Sequence, residues 1–99
     1  MEVKTRGRTD ANQTEIVRVL RSMGASVTSL ASVGAGCPDL LVGFCGRTIL
    51  LEVKDGEKPP SARALTPAEK QWHEEWRGKR VVVVNNTTEA VMAVAKEGK

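Results

Sequence analysis

The sequence predicts an α/β domain in which a mixed sheet is flanked by helices, with elements in the order helix, three strands, helix, strand, helix. Three observations lead there. Apolar residues recur at helical spacing towards both ends of the chain, while a block between them has the two-residue period and composition of strands. The pair Cys45-Gly46 interrupts that block where a hairpin would turn. The sequence Thr66-Pro67-Ala68-Glu69 reads as a capping box with proline at the first helical position, so a helix crosses between the third and fourth strands and should make them parallel and right-handed.

Taken in order, the first nine residues, Met1 to Thr9, carry Lys4, Arg6 and Arg8 and read as a basic flexible arm, leaving residues 10–99 as a single domain. Ile16, Val19, Leu20 and Met23 fix one apolar face of a first helix, capped by Asp10 or a neighbour and stopped at Gly24. Ser26 to Ala31, with Val27, Thr28 and Leu30, form the first strand, which Gly34-Ala35-Gly36 breaks. Leu40, Leu41, Val42 and Phe44 form the second and Thr48 to Val53 the third, as antiparallel neighbours. Asp55 to Ala64, with Pro59-Pro60, is a polar loop and a candidate substrate-facing segment. The helix capped at Thr66 runs to about Arg77, where Gly78 ends it. Arg80 to Val84 reads as a strand covered on both faces. Asn86 or Thr87 caps a last helix bearing Ala90, Val91, Val94 and Ala95.

Composition sets outer bounds only. At 99 residues, 40% hydrophobic and 27% charged, the chain has the makeup of one soluble globular domain with a small core, and neither an enzyme nor a binding module is excluded. Fifteen Lys plus Arg against twelve Asp plus Glu give +3 and a pI near 9.1, which suits a polyanionic partner and equally an ordinary soluble surface. The longest apolar runs, such as Ile49 to Leu51 and Val81 to Val84, fall far short of the roughly 20 residues that span a bilayer, so a cytoplasmic protein without a membrane partner is expected. Cys37 and Cys45 form no C-x-x-C pair and the single histidine, His73, is distant, which argues against zinc or thiol redox chemistry and makes both cysteines packing residues. A stacking platform for single-stranded nucleic acid would have to rest on Trp72 and Trp76; four apart on a helix, they read first as core.

The chemistry follows from the hairpin. A two-residue turn centred on Cys45 and Gly46 pairs positions whose numbers sum to 91, and Asp39 and Glu52 are such a pair. They would lie opposite each other on one face, with Cβ atoms about 4.5 to 5.5 Å apart, where like charges destabilise unless a cation sits between them. Lys54, two residues beyond Glu52, shares that face. Hard oxygen donors without His or Cys suit Mg²⁺ or Mn²⁺, and phosphate ester hydrolysis is the matching reaction. Asp39 and Glu52 are thus expected to hold the metal, with the Val53 backbone carbonyl within reach, and Lys54 to orient the attacking water or stabilise transition-state charge. A solvated Glu52 and Lys54 ion pair is the competing reading of E-x-K alone.

The combination Pro38-Asp39, thirteen residues, then Glu52-Val53-Lys54, set in this element order, resembles the PD-(D/E)XK nuclease superfamily. Within it, Gly36-x-Pro38-Asp39-Leu40, the E-V-K triplet and the helix start at Leu65-Thr66 with Gln71 and Trp72 are similar to the VRR-NUC (virus-type replication-repair nuclease) domain, over the chain from about Asp10 onward. The resemblance implies a restriction-endonuclease-like αβββαβ core with an added C-terminal helix, metal binding by Asp39 and Glu52, and assistance to hydrolysis by Lys54. It matches Glu15 on the first helix to a further acidic metal ligand, an exposed helix charge being the equal alternative. Gln71 it matches to a glutamine reaching the water or substrate, and an ordinary helix former reads as well there. His73, two residues on, reads as a surface or packing residue.

The resulting expectation is a structure-specific endodeoxyribonuclease, active with Mg²⁺ or Mn²⁺ on branched DNA such as four-way junctions, and working as a homodimer. Lys58, Arg63, Arg6 and Arg8 are the candidate DNA phosphate contacts. The alternative is a catalytically inactive DNA-binding module of the same fold.

Overall fold

Eight elements follow one another along residues 11–97, the part of the chain that the computed structural model describes. Arg6, Arg8 and the expected Asp10 cap lie outside those residues. α1 (Ala11–Ser22) buries Ile16 and Leu20, one turn apart on its inner face, and ends before Gly24, whose φ of +100° a residue with a Cβ would resist. Strands β1 (Ser26–Ser29), β2 (Leu40–Phe44) and β3 (Arg47–Val53) form an antiparallel meander. A one-turn helix α2 (Pro60–Arg63) and then α3 (Pro67–Glu75) cross over to β4 (Val82–Val84), which pairs parallel to β3. α4 (Thr87–Glu97) follows, with the Asn86 side chain accepting the Glu89 amide at 2.8 Å as its cap.

The sheet has strand order β1-β2-β3-β4, so the mixed sheet with flanking helices predicted from the sequence is the one observed. Strand alternation divides its faces. Val27, Leu40, Val42, Ile49, Leu51 and Val84 point to one side and pack with Ile16 and Leu20 of α1 and Ala90 and Val94 of α4 into a single core. Leu41, Leu50 and Glu52, the intervening residues, belong to the other side, where cover is partial and Leu41 is exposed. One face of the sheet holds the domain together and the other is available for chemistry.

Several sequence expectations are corrected. β1 ends at Ser29 and not Ala31, because Val33 turns back to bond the Leu30 carbonyl and Gly34, Ala35 and Gly36 all take positive φ. β4 is an edge strand with Val83 exposed, so its apolar run is buried only at Val81 and Val84 and is not covered on both faces. The segment Asp55 to Ala64 is not all loop, since Pro60 nucleates α2 as its first residue. α3 stops at Glu75, two residues short of Arg77, with Trp76 already extended. Trp72 and Trp76 stack on each other outside the core, and Cys45 is exposed in the turn and not packed. Among the described residues no helix is long and apolar enough to cross a membrane.

The β2–β3 turn carries positive φ at both central residues, +52° at Cys45 and +78° at Gly46. Only the second is a residue suited to it. Replacing Cys45 with Asn, which visits this region more readily, should stabilise the domain by about 0.5 to 1 kcal/mol. Thermal unfolding followed by circular dichroism should show a midpoint raised by about 2 to 8 °C; an unchanged or lowered midpoint would contradict the strain assigned to Cys45.

Candidate active site

The tight turn at Cys45-Gly46 fixes the register of β2 on β3, pairing Phe44 with Arg47, Val42 with Ile49 and Leu40 with Leu51. Continued by one residue, it brings Asp39 to Glu52. There the ladder changes character: the Asp39 amide donates to the Leu51 carbonyl at 3.1 Å, and its Oδ2 accepts the Val53 N–H at 2.7 Å. A carboxylate thus takes the bond that a continuing strand would offer to the Pro38 carbonyl. Held in this way, the Asp39 carboxyl also hydrogen-bonds that of Glu52.

Glu52 is 1% exposed, the buried charged residue among those described. A hydrogen bond between two carboxyl groups requires that the pair hold a proton. Burial first, then the Asp39 hydrogen bond and charge, push the Glu52 carboxyl up to about 9; the Glu69 charge adds to this and Lys54 opposes it. His73 Nε2 lies 3.2 Å from Glu52 Oε1, and burial keeps the imidazole below its ordinary pKa. The Cys37 thiol is raised by burial and by the charges of Glu52 and Asp39.

Lys54 stands two residues beyond Glu52 on the same face, its Nζ donating to Glu69 Oε1 at 2.8 Å. That oxygen also accepts the Thr66 amide at 2.9 Å, while the Glu69 amide donates to Thr66 Oγ1 at 3.1 Å. The capping box of α3 is therefore joined to the lysine. Burial acts to raise the Glu69 pKa, but the bonds from Lys54 and Thr66 outweigh it and hold the carboxyl low. At its other end, the Lys54 backbone is tied between neighbours: its amide donates to the Val84 carbonyl, and its carbonyl accepts from Asn12 Nδ2 of α1 at 2.7 Å.

What lets α3 come so near is Gly36. At φ +84°, a Cβ on this residue would sit 2.3 Å from the Ala68 carbonyl oxygen, so both conformation and space demand glycine. The first turn of α3 rests directly on the loop that leads to Asp39.

No family model matches the sequence, and no curated protein matches it. A solved structure described as a VRR_NUC domain is similar to this chain, with 27% sequence identity and a TM-score of 0.63, over 84% of this chain and 89% of that one. The fold is that of a VRR-NUC domain. The likeness supports a nuclease of the PD-(D/E)XK type.

In this VRR-NUC fold Asp39, Glu52 and Lys54 come together, and the further residues expected around them do not. The Glu15 carboxylate is exposed on α1 and pairs with Arg18. Gln71 Nε2 donates to Glu75 at 2.9 Å along the outer side of α3. Lys58 is exposed, and Arg63 Nε donates to its carbonyl at 2.8 Å, so both belong to the surface of the segment that leaves Lys54. The side chains that α3 does supply are Glu69 and His73. Their spacing of four, one above the other on a helix, was the available signal, and Gln71, midway between them, necessarily points elsewhere. His73, expected at the surface or in packing, contacts Glu52 instead.

The raised pKa of Glu52 has a consequence for stability in metal-free buffer. An acid whose folded-state pKa lies above its unfolded value of about 4.5 contributes stability at low pH that is lost as pH rises towards 9. Glu69 and His73 are shifted downwards and act in the opposite sense, but only near or below their ordinary values of 4.5 and 6.5. The Cys37 thiol, raised from 9.0, acts in the same sense as Glu52 but only as pH approaches 9, so the interval from pH 7 to 8 isolates Glu52. Urea unfolding with chelator present should show stability falling by up to about 1.4 kcal/mol per pH unit there, one proton's worth. In Glu52→Gln that slope should largely vanish; an equal slope in both proteins would place the proton elsewhere.

Proposed function

We propose that this VRR-NUC domain is a metal-dependent endodeoxyribonuclease that hydrolyses phosphodiester bonds inside the cell, with Asp39, Glu52 and Lys54 at its centre. The observation that carries the reading is the buried Glu52 carboxyl against Asp39, with Lys54 beside them. A fold that only bound DNA would retain two facing acids where a polyanion approaches, with no use for them.

The donor set fits a hard divalent cation. Among the described residues no three His, Cys, Asp or Glu side chains are grouped to enclose a metal, and Mg²⁺ or Mn²⁺ typically takes one or two carboxylates and keeps other positions for water and phosphate oxygens. Asp39, Glu52 and the Val53 carbonyl would hold it, and such an ion supplies Lewis acidity at the phosphate and a more acidic water. As a ligand Glu52 would be ionised. Lys54, kept in place by Glu69 and by its backbone ties, orients the attacking water or neutralises charge that develops on the phosphate. Glu69, bonded to both Lys54 and the start of α3, positions that ammonium. Lys58 and Arg63 contact phosphates of the strand leaving the site.

The finer form of this reading is a two-fold homodimer acting on branched DNA, four-way junctions included, because two symmetry-related sites suit paired cuts. Exposed Leu41 and Val83, both on the open face of the sheet, give apolar surface for such an interface. Light scattering at micromolar concentration should give twice the 10.7 kDa chain mass; a monomer mass with and without DNA would remove the dimer.

For the chemistry, Asp39→Asn and Glu52→Gln should each abolish cleavage with Mg²⁺ or Mn²⁺ present while the protein stays folded. Lys54→Ala should lower the single-turnover rate by about 10² or more, with DNA affinity in Ca²⁺ nearly unchanged. Lys54→Arg should not restore it, since a planar fork does not replace a compact ammonium. Full turnover in either carboxyl variant would overturn the site, and a pure affinity loss in Lys54→Ala would make the lysine a phosphate clamp.

A further inference from the structure

Trp72 and Trp76 stack with ring centroids 4.9 Å apart and an interplanar angle of 18°, and Trp76 is 44% exposed. An exposed indole is commonly free to swing; this one is fixed on three sides. Trp72 covers one face, Trp76 Nε1 donates to the Lys79 carbonyl at 3.1 Å, and the Nε1 edge of the ring lies against Gly78, where a Cβ would come within 2.7 Å of Nε1. A flat aromatic surface is thus held ready in a single orientation, with little rotamer freedom left to lose on contact.

Its place on α3 connects it to the site. Glu69, Trp72, His73 and Trp76 follow the spacing of three and four that lines one helix face. Two of those four side chains reach Lys54 and Glu52, and the other two continue the stripe, so Trp76 begins about 4.5 Å further along the axis than His73. Arg77 and Arg80, close to it in sequence, are exposed and available to phosphates, while Glu75 lines the stack together with the two indoles.

We propose that the Trp72 and Trp76 stack is a platform for an unpaired base of the DNA substrate, placed one helical turn beyond His73, which contacts Glu52. A blunt duplex, with its bases paired and stacked, has nothing to place there; a flap, a frayed end or a branch point does. This inference rests on the nuclease reading and narrows its substrate to DNA with single-stranded character next to the cut.

The chain has two tryptophans and no tyrosine, so its intrinsic fluorescence reports this stack alone. The probes are a short single-stranded oligodeoxynucleotide, the blunt duplex of the same sequence and that duplex with a single-stranded flap, titrated into Glu52→Gln protein so that cutting does not intervene. The single strand and the flapped duplex should quench the emission and the blunt duplex should not. Trp76→Ala should weaken single-strand binding roughly ten-fold or more, and Trp76→Phe, which still stacks, should keep most of it. Equal quenching by the blunt duplex, unchanged affinity in Trp76→Ala, or no quenching by any probe overturns the platform. So does emission that shifts on dilution of the protein alone, which would make this face a contact between copies. Because the readout is binding, a protein that quenches but never cuts loses the nuclease reading, and one that cuts but never quenches loses only the platform.

Discussion

A buried acid beside a second acid is costly to ionise, and the arrangement around Glu52 follows from managing that cost. Glu52 is 1% exposed, Asp39 is in hydrogen-bonding contact, and Glu69 adds its charge from α3. Without a cation, the cheapest state is a shared proton, which is why the carboxyl is pushed so far up. On the proposed reading, the same geometry that makes the ionised pair unfavourable would suit it to a compact divalent ion. Apolar burial on the opposite face of the sheet, from Ile16 and Leu20 to Ala90 and Val94, supplies the stability that allows such a pair to persist.

The pair would be useless without its surroundings in register, and two backbone contacts provide that. Gly36 admits the α3 N-terminus to within van der Waals distance of the loop before Asp39. Asn12 ties the Lys54 and Asn85 carbonyls, at the ends of adjacent parallel strands, to α1. Through them, three segments distant in sequence converge on a strand end only three residues long. Glu69 then serves two purposes with one oxygen, closing the capping box and holding Lys54, so the start of α3 and the lysine cannot shift independently.

The hairpin was legible in the sequence because its register depends on local turn chemistry: once Cys45-Gly46 is the turn, strand periodicity alone carries Asp39 to Glu52. Lys54 follows from the same period of two. α3 was legible as a helix, through its capping box and Pro67, but its azimuth was not. Which of Glu69, Gln71 and His73 faces the sheet depends on the close approach at Gly36, a contact between segments over thirty residues apart that no local pattern encodes. The tryptophans illustrate the same limit, since spacing of four reads equally as core and as an exposed stack, and the length of α3 beyond the sheet decides between them. For β4, a run of valines signals burial on both faces, yet an edge position leaves Val83 in solvent.

Charge at the site leads to one further step. Asp39, Glu52 and Glu69, if all ionised, face one ammonium and a histidine that burial favours as neutral, so the cluster is net negative within a chain that is net positive overall. A DNA phosphate would be drawn to the domain and repelled from its centre. On the proposed reading, cation and DNA therefore each favour the other's binding: the ion removes the repulsion, and phosphate oxygens complete a coordination sphere that two carboxyls leave open. The proton on Glu52 sets the same coupling from the protein's side, because it must leave before either partner gains from the other. On the proposed reading, an acid buried this deeply thus couples the two ligands, each binding more tightly once the other is present.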